Sequence, residues 1–322
     1  MHTTTQKIRI RNWGYRTKFV VKNTLKKWRQ IIGTMLAILG ACLTVAESVL
    51  RMFNTNIVYE WMHEYVIIVI IVCVCSGFAV NRIKLKYEYT LRGSDINITL
   101  QIADVLNNSE AIVIPTNTTF DTLMEDEFIS VNSVQGQFQN KYFFHNLHAL
   151  DDLIDKGLDG VEYEKIERSG SKQKKYPLGT VSKVTYNGVH YYFVAIADIN
   201  KYGKPINTSF QNVQIALENL WNQLELRGHI ENLYIPLIGT GKAGIKEATR
   251  EKVIKEIIFS FVAFSKEKKI TEKLIICVHP LDLEQKDLDI VELSEYLRYM
   301  CRYRYIDVND RTEGTALGGF LI

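Results

Sequence analysis

A short apolar strand that runs into a glycine-rich loop constrains this chain more than any other segment. The strand covers Leu233 to Ile238 and is followed by Gly239-Thr240-Gly241-Lys242-Ala243-Gly244. Apolar residues then recur at helical spacing from Glu247 to Phe264. Glycines let a backbone approach a ligand closely, and the N–H groups at a helix start attract an anion. The pattern therefore predicts a phosphate site, with a plain tight turn between strand and helix as the alternative.

Two familiar nucleotide sites do not fit this loop. A Walker A loop needs Lys and then Ser or Thr directly after its last glycine, whereas Ile245 follows Gly244. A Rossmann dinucleotide site opens its domain, and the next strand ends in an acidic residue. Here the loop comes late, and the next strand, Lys273 to Val278, ends in His279-Pro280. We therefore expect the loop to hold a diphosphate in another α/β fold.

Charge is distributed unevenly along the chain. The 322 residues carry a formal net charge of +3, which is too mild to argue for nucleic acid. Residues 1–29 nevertheless contain no acid, and their basic residues are Lys7, Arg9, Arg11, Arg16, Lys18, Lys22, Lys26, Lys27 and Arg29. A basic arm of this kind could bind nucleic acid. The apolar segments that follow it favour a membrane instead.

Two apolar runs follow the basic arm. The first covers Ile31 to Val45 and extends to Leu50, and the second covers Tyr65 to Val80. With their flanks, each approaches the roughly 20 residues that a transmembrane helix needs. Because the outer flanks are basic, both termini are expected in the cytoplasm. The sequence thus predicts a cytoplasmic arm at 1–29 and two transmembrane helices within 30–82. A buried helical hairpin and a cleaved signal peptide are the alternatives.

The cysteines show no pairing or metal-binding pattern. Cys42, Cys73 and Cys75 lie in the apolar runs, and Cys277 and Cys301 lie in a predicted strand and a predicted helix. Thiols without a disulfide framework suit a reducing compartment. We expect no metal site.

The rest of the chain predicts an α/β domain. Residues 83–94 are polar and predict a linker, residues 164–175 predict a mobile surface loop, and residues 307–322 predict a tail. Strands are expected at 96–102, 111–114, 180–186, 189–197, 233–238 and 274–278, and helices at 140–156, 209–227, 247–264 and 290–302. Asn187-Gly188 indicates a hairpin between two of the strands. A hairpin within a βα pattern predicts a mixed sheet in a three-layer α/β sandwich.

This domain contains Ala103-Asp104-Val105, an Asn-containing loop at 115–119, a loop at 133–138 and the glycine loop at 239–244, in that order. In these motifs it resembles a macro domain, the ADP-ribose-binding fold. Ala103-Asp104-Val105 resembles the family's Gly-Asp-Ile segment, whose acid holds the adenine. Pro115-Thr116-Asn117-Thr118-Thr119 stands where the family has an Asn-rich loop, near the distal ribose. Ser133-Val134-Gln135-Gly136-Gln137-Phe138 and the loop from Gly239 to Gly244 resemble the two diphosphate loops. The resemblance implies a macro domain over 95–306 that binds its ligand through these segments.

The chain departs from hydrolytic macro domains. Gln135 and Gln137 stand where those enzymes have an acid or a catalytic group, and glutamine cannot take up a proton at neutral pH. Asn117 and Asp121 remain as candidates, but we interpret Asp121 as a helix N-cap. No catalytic residue is therefore predicted.

An apolar pair of segments followed by a domain with IPTNTTFD and IPLIGTGKAGI resembles the membrane-macro effectors of Thoeris-type bacterial anti-phage defence. The resemblance implies that a separate TIR-domain enzyme consumes NAD and makes a signal in which histidine is joined to ADP-ribose. The cytoplasmic macro domain would bind this signal, and the effector would assemble as a homo-oligomer and disrupt the lipid of the bacterial inner membrane. The expected ligand is an ADP-ribose conjugate, with no cofactor and no nucleic acid. A membrane-tethered ADP-ribosyl hydrolase and a static reader of ADP-ribosylated proteins are the alternatives.

Overall fold

The computed structural model describes residues 2–53, 57–124, 129–168, 172–200, 202–241, 245, 247–284 and 288–303. The chain forms two compact units that divide between Leu85 and Lys86. The predicted tail at 307–322 lies outside the described residues.

The first unit contains the helices α1 (His2–Lys26), α2 (Trp28–Phe53) and α3 (Ile57–Val80). The start of α2 packs beside the end of α3, so the two helices are antiparallel. A Cβ atom on Gly77 would lie 2.6 Å from Met35 Cγ and 3.1 Å from the Ile31 carbonyl oxygen, so this close approach requires glycine. Asn81 Nδ2 also donates to Thr34 Oγ1 at 3.0 Å.

One of these helices has the properties of a membrane span. Within the described part of the chain, Trp28–Val49 alone is long and apolar enough to cross a bilayer, with 22 residues and a mean hydropathy of 1.8. Among the described side chains of α3, the apolar segment is Ile67–Val80, which is shorter than a span requires. The structure thus has a packed helical pair where two transmembrane helices are predicted, and one helix of the pair meets the criterion.

The second unit is built on a mixed β-sheet. Its strands are β1 (Lys86–Thr90), β2 (Asn97–Ile102), β3 (Ala111–Asn117), β4 (Glu164–Lys165), β5 (Lys174–Lys175), β6 (Val181–Tyr186), β7 (Val189–Ile199), β8 (Pro205–Ile206), β9 (Leu233–Pro236) and β10 (Lys273–Val278). The sheet order is β1-β2-β10-β9-β3-β7-β6, with β8 pairing to β7. The edge strands β1 and β6 are antiparallel to their neighbours, and the strands between them are parallel. A separate hairpin pairs β4 with β5.

Helices cover both faces of the sheet. They are α4 (Val134–Tyr142), α5 (Leu147–Gly157), α6 (Phe210–Leu226), α7 (Arg250–Phe264) and α8 (Ile290–Arg302). Ile112 and Ile114 of β3 share one hydrophobic cluster with Phe138 of α4 and Leu150 of α5. Alternate strand residues point to the opposite face, where α6, α7 and α8 pack in a row. The predicted α/β sandwich with a mixed sheet is confirmed.

Several predicted boundaries are wrong. Part of the predicted linker at 83–94 is β1, which pairs with β2 along its whole length. The helix predicted at 140–156 is two helices, because Asn146 caps α5 by accepting from Ala149 N at 3.1 Å. The helix predicted from Glu247 begins at Arg250, because Thr249 Oγ1 caps it by accepting from Lys252 N. The predicted mobile loop at 164–175 contains the β4–β5 hairpin.

Candidate ligand-binding site

The predicted site segments meet at one edge of the sheet. Because β2, β10, β9, β3 and β7 are parallel, their carboxyl ends lie at the same edge. Asp104 follows β2, Thr118 follows β3 and Gly239 follows β9. The strands that follow β3 in the chain, β6 and β7, lie on one side of β3 in the sheet, and the later strands β9 and β10 lie on its other side. The crevice between β3 and β9 is therefore a topological switch point. Open α/β sheets bind ligands at such points.

The segment after β2 is fixed by Asp104. Its Oδ1 atom accepts from Leu106 N at 3.0 Å and caps a short 3-10 helix at Val105–Asn107. The Val105 side chain is 5% exposed and belongs to the hydrophobic core. Asp104 is half-buried and retains lone pairs beyond those the cap uses, so it can accept from a ligand, whereas the Val105 side chain is committed to packing.

The segment after β3 is a turn that is organised by Asn117. Asn117 Oδ1 accepts from the backbone N–H groups of Thr119 and Asp121, both at 3.2 Å, and Nδ2 donates to Asp121 Oδ2 at 3.1 Å. Thr116 is 5% exposed, and its hydroxyl oxygen has no hydrogen-bond partner among the described residues. Thr118 Oγ1 donates to Asp198 Oδ1 at 3.3 Å. Both polar atoms of the Asn117 amide therefore have partners within the turn, and the first role of this amide is to shape the turn.

Asp121 is not a helix N-cap, so that interpretation is wrong. Residues 121–124 are not helical, and the next helix in the described part of the chain, α4, is capped by Ser133. Asp121 instead forms a buried ion pair with Arg168, at 3.1 Å between Oδ2 and Nη1, and the two side chains are 1% and 0% exposed. Thr119 Oγ1 lies 2.7 Å from the same carboxylate and 3.1 Å from Arg168 Nη1. The ion pair ties the segment after β4 to the turn after β3, which spacing in the sequence could not reveal.

The predicted first diphosphate loop is the first turns of α4. Ser133 Oγ accepts from Gly136 N at 3.0 Å. A Cβ atom on Gly136 would lie 2.1 Å from the Ser130 carbonyl oxygen, so this position requires glycine for packing. Phe138 is fully buried, and its ring centroid lies 4.6 Å from that of Tyr191. The Phe138 side chain therefore packs the core, and Val134 at the start of the helix packs partly against the same cluster.

The two glutamines of α4 bind backbone carbonyl groups. Gln135 is 2% exposed, and its Nε2 atom donates to the Asp121 carbonyl oxygen at 2.7 Å. Gln137 Nε2 donates to the Asn132 carbonyl oxygen at 3.0 Å. Both side chains hold loop backbone in place, as amides can and carboxylates cannot.

The two described glycines of the loop after β9, Gly239 and Gly241, have different surroundings. Gly239 has φ of +76°, and a Cβ atom there would lie 2.9 Å from Val213 Cγ2, so both conformation and packing require glycine. Thr240 Oγ1 donates to the Leu237 carbonyl oxygen at 3.2 Å. Gly241 is exposed, and a Cβ atom there would meet no atom of the described residues within 4 Å. The remaining predicted residues of the loop, Lys242, Ala243 and Gly244, lie outside the described residues.

A cleft beside the β3 turn was not predicted from the sequence. Its volume is about 460 Å³, and its lining includes Thr118 and Asp198 from the strand ends, with Glu162, Glu164, Tyr163, Lys175 and Tyr176 from the segments around the hairpin. Lys175 Nζ and Asp198 Oδ1 are 2.8 Å apart. Burial raises the pKa of the Tyr176 hydroxyl. These residues come from distant segments, and the only signal in the sequence was the charged stretch at 164–175, which predicted a mobile loop.

Comparison with known proteins places this domain in a family. The family described as "Thoeris protein ThsA, Macro domain" matches residues 98–279, more than half of the 322 residues. Thoeris protein ThsA of Bacillus amyloliquefaciens (strain Y2) is 27% identical over 179 residues, which are 54% of this chain and 57% of that protein. The chain thus spans less than two thirds of that relative.

Two solved macrodomains align with this chain at low sequence identity and with TM-scores below 0.5. The Oceanobacillus iheyensis macrodomain with MES bound has a TM-score of 0.45 and 12% identity over 67% of this chain and 96% of that chain. The Trypanosoma brucei macrodomain in complex with ADP-ribose has a TM-score of 0.41 and 10% identity over 60% of this chain and 68% of that chain. On the strength of the family match over residues 98–279, the chain belongs to the Thoeris ThsA macro-domain family.

Proposed function

We propose that the macro domain binds an ADP-ribose-containing signal at the carboxyl edge of its sheet. The observation that carries the proposal is that Asp104, the Asn117 turn and the Gly239–Gly241 loop follow β2, β3 and β9 at one edge. Asp104 can accept a hydrogen bond from the adenine amino group, since its cap uses only part of its acceptor capacity. The open space at Gly241 lets a diphosphate approach the loop backbone.

The cleft beside Thr118 suits the group that is joined to ADP-ribose in the signal. Glu162 and Glu164 provide negative charge beyond the Asp198 carboxylate, which is paired with Lys175. Tyr163 provides an aromatic ring, whose centroid lies 4.8 Å from Lys174 Nζ. Carboxylates pair with an ammonium or imidazolium group, and tyrosine rings attract cations. This lining supports a conjugate with histidine, whose amino group and imidazole have the matching chemistry.

The contacts at the edge favour binding without turnover. Hydrolysis needs a general base that can take a proton from water. Gln135 and Gln137 have no such group and donate to backbone carbonyls. The Asp121 carboxylate is held by Arg168 inside the core, and the Asp198 carboxylate is paired with Lys175. Glu162 and Glu164 line the cleft, and we assign their carboxylates to the cationic group of the signal. We therefore propose a ligand-gated effector and not an ADP-ribosyl hydrolase.

The remaining step of the proposal links the signal to a membrane. The α2 segment Trp28–Val49 is apolar and long enough to span a bilayer, and α3 packs against it. A ligand can drive a change only if it binds one state better than another. We propose that the signal, made by a TIR-domain enzyme, stabilises an assembled state of the effector in the inner membrane, and that this assembly disrupts the bilayer during anti-phage defence.

An incubation of the full chain with histidine–ADP-ribose tests sensing against hydrolysis. We expect the conjugate to stay intact while light scattering shows a larger assembly. Asp104→Ala should weaken this response, whereas Asp104→Asn, which keeps an acceptor for the Leu106 N–H group, should weaken it less. Multiple-turnover cleavage without a change in assembly would support the hydrolase instead.

A further inference from the structure

Helix α1 has one face that is buried in its own unit and one that is exposed. Phe19, Val20 and Thr24 are 9%, 5% and 0% exposed. Thr24 Oγ1 accepts from Ile83 N at 3.2 Å, which ties the helix to the chain just after α3. The basic segment before the candidate span is therefore not a free arm but a helix fixed beside the end of α3 and the start of α2.

The exposed face combines lysines with aliphatic side chains. A shallow groove along it is lined by Lys18, Val21, Lys22, Leu25 and Lys26. Val21 and Leu25 are 41% and 54% exposed, although they lie one helical turn apart on the same face. Trp28, at the start of α2, is 55% exposed and carries the Arg29 guanidinium 5.4 Å from its ring centroid. No acidic residue occurs anywhere in α1.

We propose that this face of α1 binds the headgroups of anionic lipids, an inference that rests on the membrane insertion in the proposed function. Lysine side chains extend toward headgroup phosphates while their methylene stems stay among apolar groups. Val21 and Leu25 enter the boundary between headgroups and acyl chains, as the apolar face of an interfacial helix does. Trp28 continues this surface into the candidate span, at the depth that tryptophan prefers.

The apolar residues distinguish a lipid surface from the other partners of a basic helix. Nucleic acid is bound mainly through its phosphates, and it offers no apolar layer for exposed Val21 and Leu25. An anionic bilayer offers both charge and an apolar layer, and it is continuous with the surface that the adjoining α2 span would occupy.

Quenching of tryptophan by brominated lipids tests this inference in the full chain. A background with Trp13→Phe and Trp61→Phe leaves Trp28 as the exposed reporter, because Trp221 is 1% exposed inside the macro unit. The reconstituted protein is compared in brominated phosphatidylglycerol and brominated phosphatidylcholine, which gives the relative affinity for the anionic lipid. We expect a preference for phosphatidylglycerol that falls by about fivefold for each lysine removed in Lys22→Gln/Lys26→Gln. The control Lys156→Gln/Lys204→Gln removes two exposed lysines of the macro unit and should leave the preference unchanged.

Each outcome decides the inference. Quenching that is equal for both lipids, or a preference that survives the α1 double variant, would contradict it while leaving membrane insertion intact. A double variant that loses binding to a duplex oligonucleotide but keeps its lipid preference would assign the face to nucleic acid. If neither lipid quenches Trp28, the helical unit does not insert into the bilayer. That result would contradict both the membrane step of the proposed function and this inference.

Discussion

Arg168 is the residue that holds the turn after β3 in place. Its guanidinium is fully buried and pairs with Asp121, whose carboxylate also contacts Thr119 and Asn117. The turn, α4 through Gln135, and the segment after β4 therefore share one polar centre beside the proposed binding edge. A buried pair of this kind need not add stability, but the loss of one partner leaves a buried charge uncompensated.

Arg168→Met should therefore destabilise the protein by about 3–5 kcal/mol. Arg168→Met/Asp121→Asn should recover part of this loss, since the remaining side chain is neutral. The free energy of unfolding of the full chain can be measured by urea titration in detergent, with near-ultraviolet circular dichroism as the probe. Lys172→Gln is the matched control, because its pairs with Asp151 and Asp155 are partly exposed and contribute at most about 1 kcal/mol. A loss from Arg168→Met no larger than that of the control would show that the pair does not hold the turn.

At the scale of elements, β1 sets the true start of the macro unit. It pairs with β2 from Lys86↔Gln101 to Thr90↔Asn97, and Arg92 N donates to the Cys301 carbonyl oxygen beyond it. Truncation before residue 83 keeps this strand, whereas truncation before residue 95 removes it and uncovers the edge of β2. We expect the 83–322 fragment to be monomeric and soluble and the 95–322 fragment to aggregate, since an uncovered strand edge pairs with other chains. Equal solubility in size-exclusion chromatography would mean that β1 is dispensable.

The β1 edge also carries a pH-dependent contribution to stability. Hydrogen bonds from Lys273 and Lys86 lower the pKa of Glu88 from 4.5 to about 2. Because the folded pKa is depressed, the contribution is complete above the unfolded value and is lost as the pH falls toward the folded one. Glu88 is about one third exposed, so Glu88→Gln should cost no more than about 1 kcal/mol near neutral pH. Urea titrations at several pH values should show this difference shrinking below about pH 4.5. A constant difference would assign the effect to packing.

Local patterns predicted most of these elements, and distant contacts explain the rest. Apolar runs identified β2, β3, β9 and β10, and Asn187-Gly188 forms the expected hairpin turn with φ of +51° and +78°. β1 was missed because its sequence, KYEYT, is too polar to stand out from a linker. The Asp121–Arg168 pair joins residues 47 positions apart, and a contact at this separation cannot be predicted from local sequence patterns. The segments of the proposed site were predicted from their motifs, whereas the cleft depends on how the hairpin folds over the strand ends.

At the scale of the whole molecule, the helical unit ends at Leu85 and the macro unit begins at Lys86. The junction has no long flexible linker, since α3 ends at Val80 and β1 begins at Lys86. In the proposed effector, an assembly of macro units would bring together the helices of the same chains, because only residues 81–85 lie between α3 and β1. This short connection suits the proposed effector, in which ligand binding at the edge of the sheet controls the assembly of the helices in the membrane.

The central claim is that the carboxyl edge of the sheet binds an ADP-ribose-containing ligand, and calorimetry tests it most directly. The full chain in detergent is titrated with ADP-ribose and with histidine–ADP-ribose, as the wild type, as Gly241→Glu and as Leu226→Glu. None of the described residues would contact a Cβ atom at position 241, so the first variant should fold and place a carboxylate where the diphosphate is expected. Leu226, 76% exposed at the end of α6, is the control, because it receives the same charge at the opposite edge of the sheet. We predict that wild type and Leu226→Glu bind the conjugate more tightly than ADP-ribose and that Gly241→Glu binds neither. Unchanged binding in a folded Gly241→Glu protein would contradict the account.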